Sequence, residues 1–185
     1  MIIKKYLGIF VTLFFISAIG FSVYDQLNKP KISAKSKRIP CQIKTTTFER
    51  ILQLDQIKDG QKLLLSGNYK IKSRIWKSKY STSKLFNHIS KEQIDTLNHQ
   101  HIDSISTEKI PSDKVLEINF YTRENDKEDP GKKGTECKLY AGYLVYEFKL
   151  DGKLIYKIQT DFMDFQGKDI AHRISCVYNS FLTIK

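Results

Sequence analysis

The sequence predicts an α+β domain behind an N-terminal apolar segment. Three observations lead there. Residues 6–24 are uncharged and mostly apolar, and a polar, lysine-rich stretch follows them. Capping-box patterns (Ser or Thr, then Glu or Gln three residues later) mark two short helices in the first two thirds of the chain. The last 70 residues alternate apolar and polar, the period of strands. The expectation is one domain over residues 45–185 with two short helices and about five antiparallel strands, the last four forming a C-terminal meander. A strongly curved sheet closing toward a barrel is the alternative. The 185 residues allow one domain with a real core, and 21 Tyr and Phe suit strands.

The segment from Tyr6 to Tyr24 holds 19 residues without a charge. As a helix it spans roughly 28 Å, close to the hydrocarbon thickness of a bilayer. Lys4 and Lys5 precede it, and Ala18-Ile19-Gly20 places small residues where a signal peptidase reads them. Residues 1–24 are therefore read as a signal-anchor or a cleaved signal peptide, and residues 25–44 as a basic linker broken by Pro30 and Pro40. Two cues oppose each other. Lys29, Lys31, Lys35, Lys37 and Arg38 outnumber the basic residues before the segment, which by the positive-inside rule favours a cytosolic domain. An apolar segment at the start of a chain is the usual export signal. The reading adopted is export: a bacterial inner-membrane protein with a periplasmic domain, or a secreted one after leader cleavage.

Helix one is expected near residues 47–58, from the capping box Thr46-Thr47-Phe48-Glu49 to a stop at Gly60. From Lys62 the period becomes two. Leu63, Leu65, Tyr69, Ile71 and Ile75 fall on one side, with Lys70, Lys72, Arg74 and Trp76 on the other, and Gly67 marks a bend. Helix two begins at Ser90, with Gln93 completing its capping box and Ile89 and Ile94 its hydrophobic staple, and fades near His99. Strands follow at Val115–Arg123, at the two arms flanking Asp151-Gly152, and at Arg173–Ile184. Between the arms a three-residue loop, Leu150-Asp151-Gly152, pairs Phe148 with Leu154, Tyr146 with Tyr156, Leu144 with Ile158 and Tyr140 with Phe162. All those apolar residues then share one face, which a strict two-residue turn does not allow.

Charge is divided unevenly. Residues 26–91 carry 16 Lys and Arg against three acids, a net of +13; residues 92–185 net −3. Such a field attracts an anionic neighbour. The best-defined binding candidate is the basic ladder Lys70, Lys72 and Arg74, continued by Trp76, Lys77, Lys79 and Tyr80. Cations at alternate strand positions meet anionic groups together, and the aromatics stack. The same lysines also protect an exposed sheet edge from aggregation.

Cys41, Cys137 and Cys176 have no C-x-x-C spacing, so no zinc motif is present. In an oxidising compartment one disulfide is expected, and Cys137 with Cys176 is chosen because both flank strands of the meander. His99 and His101 share a face only if their segment is a strand. Asp161, Asp164 and Asp169 cluster without the spacing of a calcium loop. Gly131-Lys132-Lys133-Gly134-Thr135 lacks P-loop spacing, and no nucleophile–base pattern appears.

No cofactor is implied. The function expected is a membrane-tethered, extracytoplasmic, non-catalytic protein-binding or adaptor module, of the envelope-complex or inhibitor type. It would be held at the membrane by residues 6–24, with a protein partner on the basic ladder. Two alternatives stand beside it. One is an electrostatic binder of anionic lipid or nucleic acid through residues 26–91. The other is an enzyme whose site includes His99, His101, Asp161 and Asp164.

Overall fold

The computed structural model describes residues 35–132 and 139–185. The order of elements is α1 (Pro40–Ile43), β1 (Thr47–Ile51), α2 (Leu54–Leu65), β2 (Tyr69–Trp76), a 3-10 turn at Leu85–Asn87, α3 (Lys91–Ile105), β3 (Leu116–Glu124), β4 (Gly142–Leu150), β5 (Lys153–Phe162) and α4 (Ile170–Leu182). The class is α+β: among the described residues, four α-helices and one mixed sheet ordered β1-β5-β4-β3-β2. All neighbours are antiparallel except β2 and β3, which run parallel. The leader lies outside the described residues, among which no helix is long and apolar enough to cross a membrane.

The first part of the helix predicted at 47–58, Thr47–Ile51, is a strand. Thr47–Ile51 pairs with β5, and the Thr47 hydroxyl meets that of Thr160 at 3.2 Å. A run of β-branched threonines suits this pairing, and Glu49 is drawn to Arg38 rather than to a helix N-terminus. The helix comes later. The amides of Leu52 and Gln53 both donate to the Ile155 carbonyl, turning the chain off the sheet into α2. Leu63 and Leu65, predicted in a strand, lie in this helix. Gly60, predicted as its stop, lies inside it. A Cβ there would come within 2.8 Å of Ile155 Cδ1 and 3.1 Å of Phe181 Cζ, so glycine sets how closely α2 approaches the sheet. The true stop is Gly67, at φ +76°. Its amide donates to Leu64 O and that of Asn68 to Leu63 O, the Schellman pattern.

The strand reading of Tyr69–Ile75 holds: odd positions are half-buried, and Lys70, Lys72, Arg74 and Trp76 are exposed. Helix α3 starts at Ser90 with the capping box to Gln93. It runs on to Ile105 because Ile94, Asn98 and Ile102 continue one buried stripe.

The hairpin reaches its single apolar face by another route. Asp151 (φ +50°) and Gly152 (φ +75°) form a two-residue turn between Leu150 and Lys153. A bulge then shifts the register between Lys149↔Leu154 and Phe148↔Tyr156. The observed pairs are Phe148↔Tyr156, Tyr146↔Ile158, Leu144↔Thr160 and Gly142↔Phe162. The extra residue is Ile155, buried beside Tyr156. One inserted residue corrects the parity that the tight turn alone would have inverted.

The predicted last strand is α4, so the meander has three strands, β3 to β5. Ile170, Ile174, Val177, Tyr178 and Phe181 are all buried, spaced i, i+4, i+7, i+8 and i+11. Helix α4 packs its aromatics on the sheet: Phe181 stacks on Phe148 at 4.3 Å, and Tyr178 meets Tyr146 and Phe148 edge-on. Asn98 of α3 joins this layer. It is fully buried, and its Oδ1 accepts from the hydroxyls of Tyr146 (2.7 Å) and Tyr178 (3.0 Å).

The segment read as linker is in its last ten residues part of the fold. Pro40 opens α1 at a position that needs no amide donor. Cys41 is bonded to Cys176, with Cα atoms 5.8 Å apart. Cys137, the partner expected for Cys176, lies outside the described residues. Choosing it rested on two strands, and Cys176 sits instead on a helix facing α1. Arg38 grips Glu49 with two nitrogens (3.1 and 3.0 Å) and donates to Thr183 Oγ1 (2.9 Å) and the Ser180 carbonyl at the end of α4. A cation there also meets the negative end of the helix dipole. Tyr156 donates to Glu49 at 2.7 Å, and Ser36 donates to it too. Burial opposes ionisation of Glu49, but the hydrogen bonds from Arg38, Ser36 and Tyr156 prevail and hold its carboxyl below the usual range.

Two outcomes follow from this packing. The double variant C41S/C176S should lose about 2–4 kcal/mol of unfolding free energy in urea titrations, and a reductant should have the same effect on the native chain. Gly60→Ala, which at an ordinary helix position stabilises by about 1 kcal/mol, should here destabilise by about 1–3 kcal/mol, because the methyl group overfills the contact with Ile155 and Phe181.

Candidate functional site

All three long helices lie on one face of the sheet. The other face carries alternate side chains of every strand and, among the described residues, no helix. On β2 these are Lys70, Lys72, Arg74 and Trp76. In register on β3 stand Glu117, Asn119, Tyr121 and Arg123, and on β4 stand Tyr143, Val145, Glu147 and Lys149. The period of two and the parallel register place the predicted ladder on this open face.

Its β2 end forms a cation–aromatic platform. Trp76 stacks on Tyr121 at 4.8 Å between ring centroids. The Arg123 guanidinium lies 5.3 Å from the Trp76 ring and 5.9 Å from that of Tyr143. A shallow groove of about 350 Å³ here is lined by Lys72, Arg74, Trp76, Tyr121, Glu147 and Lys149, with Asn119 and Phe120. Several charges are already matched. Lys72 pairs with Glu117 at 2.8 Å, and Lys157 and Lys149 flank Glu147 at 2.6 and 3.6 Å. Among the described residues, Lys70 and Arg74 have no carboxylate within ion-pair distance.

Lys77, Lys79 and Tyr80 lie in the loop after β2. That loop is held by two buried carboxylates at the end of β3. Glu124 accepts from the amides of Ser78 (3.2 Å), Lys84 (2.6 Å) and Leu85 (2.8 Å). Asp126 accepts from the amides of Lys79 (2.5 Å) and Tyr80 (2.6 Å) and from the Ser81 hydroxyl (2.9 Å). Burial acts to raise both carboxyls, but the amides win and hold both below their ordinary range. The acids at the start of the charged loop thus organise the basic one.

The remaining candidates are dispersed. His99 faces Tyr69 Oη at 3.3 Å. His101 packs 5.4 Å from the Tyr178 ring, and burial lowers its pKa. Asp164 and Asp169 cap the turn before α4, accepting from the amides of Gln166, Lys168, Met163 and Asp164, and Asp169 pairs with Arg173. Asp161 is buried at the end of β5 opposite Tyr143. Of the loop 131–135, residues 133–135 lie outside the described residues. Among the described residues, no cluster of three metal-ligating side chains exists.

The sequence reading did not assign Tyr121, Arg123, Tyr143 and Lys149 to the ladder. The alternation in β3 and β4 marked them as outward-facing. Only the register, which sets Trp76 opposite Arg123 and beside Tyr121, makes them neighbours of it.

No family model and no curated protein matches the chain. Among solved structures, the chain is similar to a point variant of the PelC dodecamer from Paraburkholderia phytofirmans, at 8% identity and a TM-score of 0.37, over 75% of this chain and 96% of that one. A likeness at that level carries no argument about this chain.

Asp161 yields a pH-dependent prediction. Burial outweighs the pull of Gln159, Lys35 and Arg173 and raises its carboxyl to about 6. The folded pKa lies above the unfolded one, so this group favours folding in acid, and its contribution falls as pH rises from about 4 to about 6. Asp161→Asn should therefore stabilise by roughly 1–2 kcal/mol at pH 7 and by almost nothing at pH 4, read from unfolding curves at the two pH values.

Proposed function

We propose that this chain is a non-catalytic binding module working outside the cytoplasm. Its N-terminal apolar segment tethers it to a bacterial inner membrane, with the folded part on the periplasmic side and a protein partner on the open face at β2. The observation that carries the reading is the exposed row Lys70, Lys72, Arg74 and Trp76 on an edge strand, joined by Tyr121 and Arg123 into one platform. The Cys41–Cys176 bond supports the compartment, since structural disulfides form and persist in oxidising surroundings. The dispersal of His99, His101, Asp161 and Asp164 gives no support to the enzyme alternative.

A second reading rests on the net +13 of residues 26–91: electrostatic attachment to anionic lipid or nucleic acid. Salt separates the two. Attachment through many phosphates weakens steeply as salt rises, whereas a packed protein contact is far less sensitive.

In living cells of the native host, quenched in acid, Cys41 and Cys176 should resist alkylation until a reductant is added. A photo-crosslinking residue at position 72 should capture a protein, and one at Lys185 should not. Free Cys41 and Cys176 thiols in the quenched cells, or capture of nucleic acid or lipid alone at position 72, would overturn the proposal.

A further inference from the structure

The sheet has two edges, and the chain treats them differently. At β1 the chain bonds one end of its own edge: the Ser36 amide donates to the Thr47 carbonyl at 2.7 Å. At β2 nothing equivalent occurs among the described residues. The Leu116 amide donates to Asn68 O, which sets the phase of the parallel ladder. Even-numbered residues of β2 turn their amides and carbonyls to β3, and Tyr69, Ile71, Ser73 and Ile75 turn theirs outward. None of those outward groups has a partner among the described residues. Eight residues is long for an uncovered edge, which folded proteins normally shorten, bulge or block.

The side chains flanking this edge differ by face. On the helix side Tyr69, Ile71 and Ile75 are only half-buried, and Tyr69 and Ile71 pack on the core. On the open side stand Lys70 and Arg74, without carboxylate partners among the described residues, and Lys72. We propose that β2 accepts a segment of a partner protein as a sixth strand, and that this segment alternates apolar and acidic residues. Its main chain bonds to residues 69, 71, 73 and 75. Its apolar side chains cover Tyr69, Ile71 and Ile75, and its carboxylates meet Lys70 and Arg74. A second copy of the chain does not fit, because pairing β2 with β2 sets Lys70, Lys72 and Arg74 against the same cations. Glu124 and Asp126 of this chain's own acidic loop are already committed to the amides of residues 78–85.

The inference rests on the protein-binding reading above and specifies the partner's chemistry. Its test uses the full chain in detergent micelles and a capped eight-residue peptide alternating Val and Glu. Trp76 is the chain's one tryptophan, at the end of β2, so its fluorescence reports binding. Saturable binding should appear below about 1 mM, with slowed amide exchange at Ile71, Ser73 and Ile75. The double variant K70E/R74E should weaken it about tenfold or more. The same peptide N-methylated at alternate residues, in either phase, keeps its charge but loses its main-chain bonds in one phase, and in that phase it should not bind. Three results would overturn the inference: no binding, unchanged exchange in β2, or equal binding of oligoglutamate, phosphatidylglycerol vesicles or both N-methylated forms. If position 72 still captures a protein in cells when the peptide fails, protein binding stands and strand addition falls. If neither works, both fall.

Discussion

Three helices must bury their apolar stripes, and the five strands offer them one apolar face. Every other feature follows from that match. Helix α4 sets its aromatic side on Phe148, Tyr146 and Tyr156. Helix α2 comes close enough that a Cβ at position 60 would crowd Ile155 and Phe181. Asn98 satisfies two tyrosine hydroxyls that aromatic packing would otherwise leave buried and unbonded. The hairpin from β4 to β5 carries one extra residue, Ile155, because a tight turn with unbroken register would have aimed half of these residues at solvent. With the helices on one side, the opposite face is left to charged and aromatic side chains.

The strap at residues 36–44 belongs to the same scheme. Helix α4 is the last element of the fold, and the strap packs on it from the start of the domain through Arg38, Cys41 and Gln42. These residues use an ion pair to half-buried Glu49, hydrogen bonds to Ser180 and Thr183, and a disulfide across 135 residues. Contacts so distant in sequence cost loop entropy, and a covalent bond offsets that cost by restricting the unfolded chain. The same strap bonds the start of the β1 edge through the Ser36 amide and the Thr47 carbonyl, whereas β2 has no such bond on its outer side among the described residues.

Electrostatics divides the open side in a similar way. The acids of the second half are not spread as a diffuse counter-charge. Glu117 and Glu147 neutralise Lys72, Lys149 and Lys157 on the sheet. Glu124 and Asp126 are engaged by backbone amides, fixing the loop that carries Lys77, Lys79 and Tyr80. Among the described residues Lys70, Arg74, Arg123 and Arg50 of this face have no carboxylate within ion-pair distance, and Lys70 and Arg74 lie together on β2, beside the Trp76–Tyr121 stack. A net charge over half the chain does not show which individual cations are already matched; the ion pairs between neighbouring strands do.

By itself, the sequence determined the α+β class, the strand at Tyr69–Ile75 with its cations on one side, the start of α3 at Ser90, and the strands β3 to β5. Each is a local pattern: a period of two, or a capping box whose partners lie three residues apart. It misjudged what depends on remote partners. Thr46–Glu49 satisfies a capping box while Thr47–Ile51 suits a strand equally well, and pairing with β5 decides for the strand. Arg173–Ile184 shows apolar residues at both periods, because a helix buried on a wide face hides more than one stripe, and the sheet receives it as α4. The bond from Cys176 to Cys41, the added Ile155 and the meeting of Trp76 with Tyr121 and Arg123 exist only once strands and helices are docked. Local spacing carries no information about which distant segment supplies the other half of a contact.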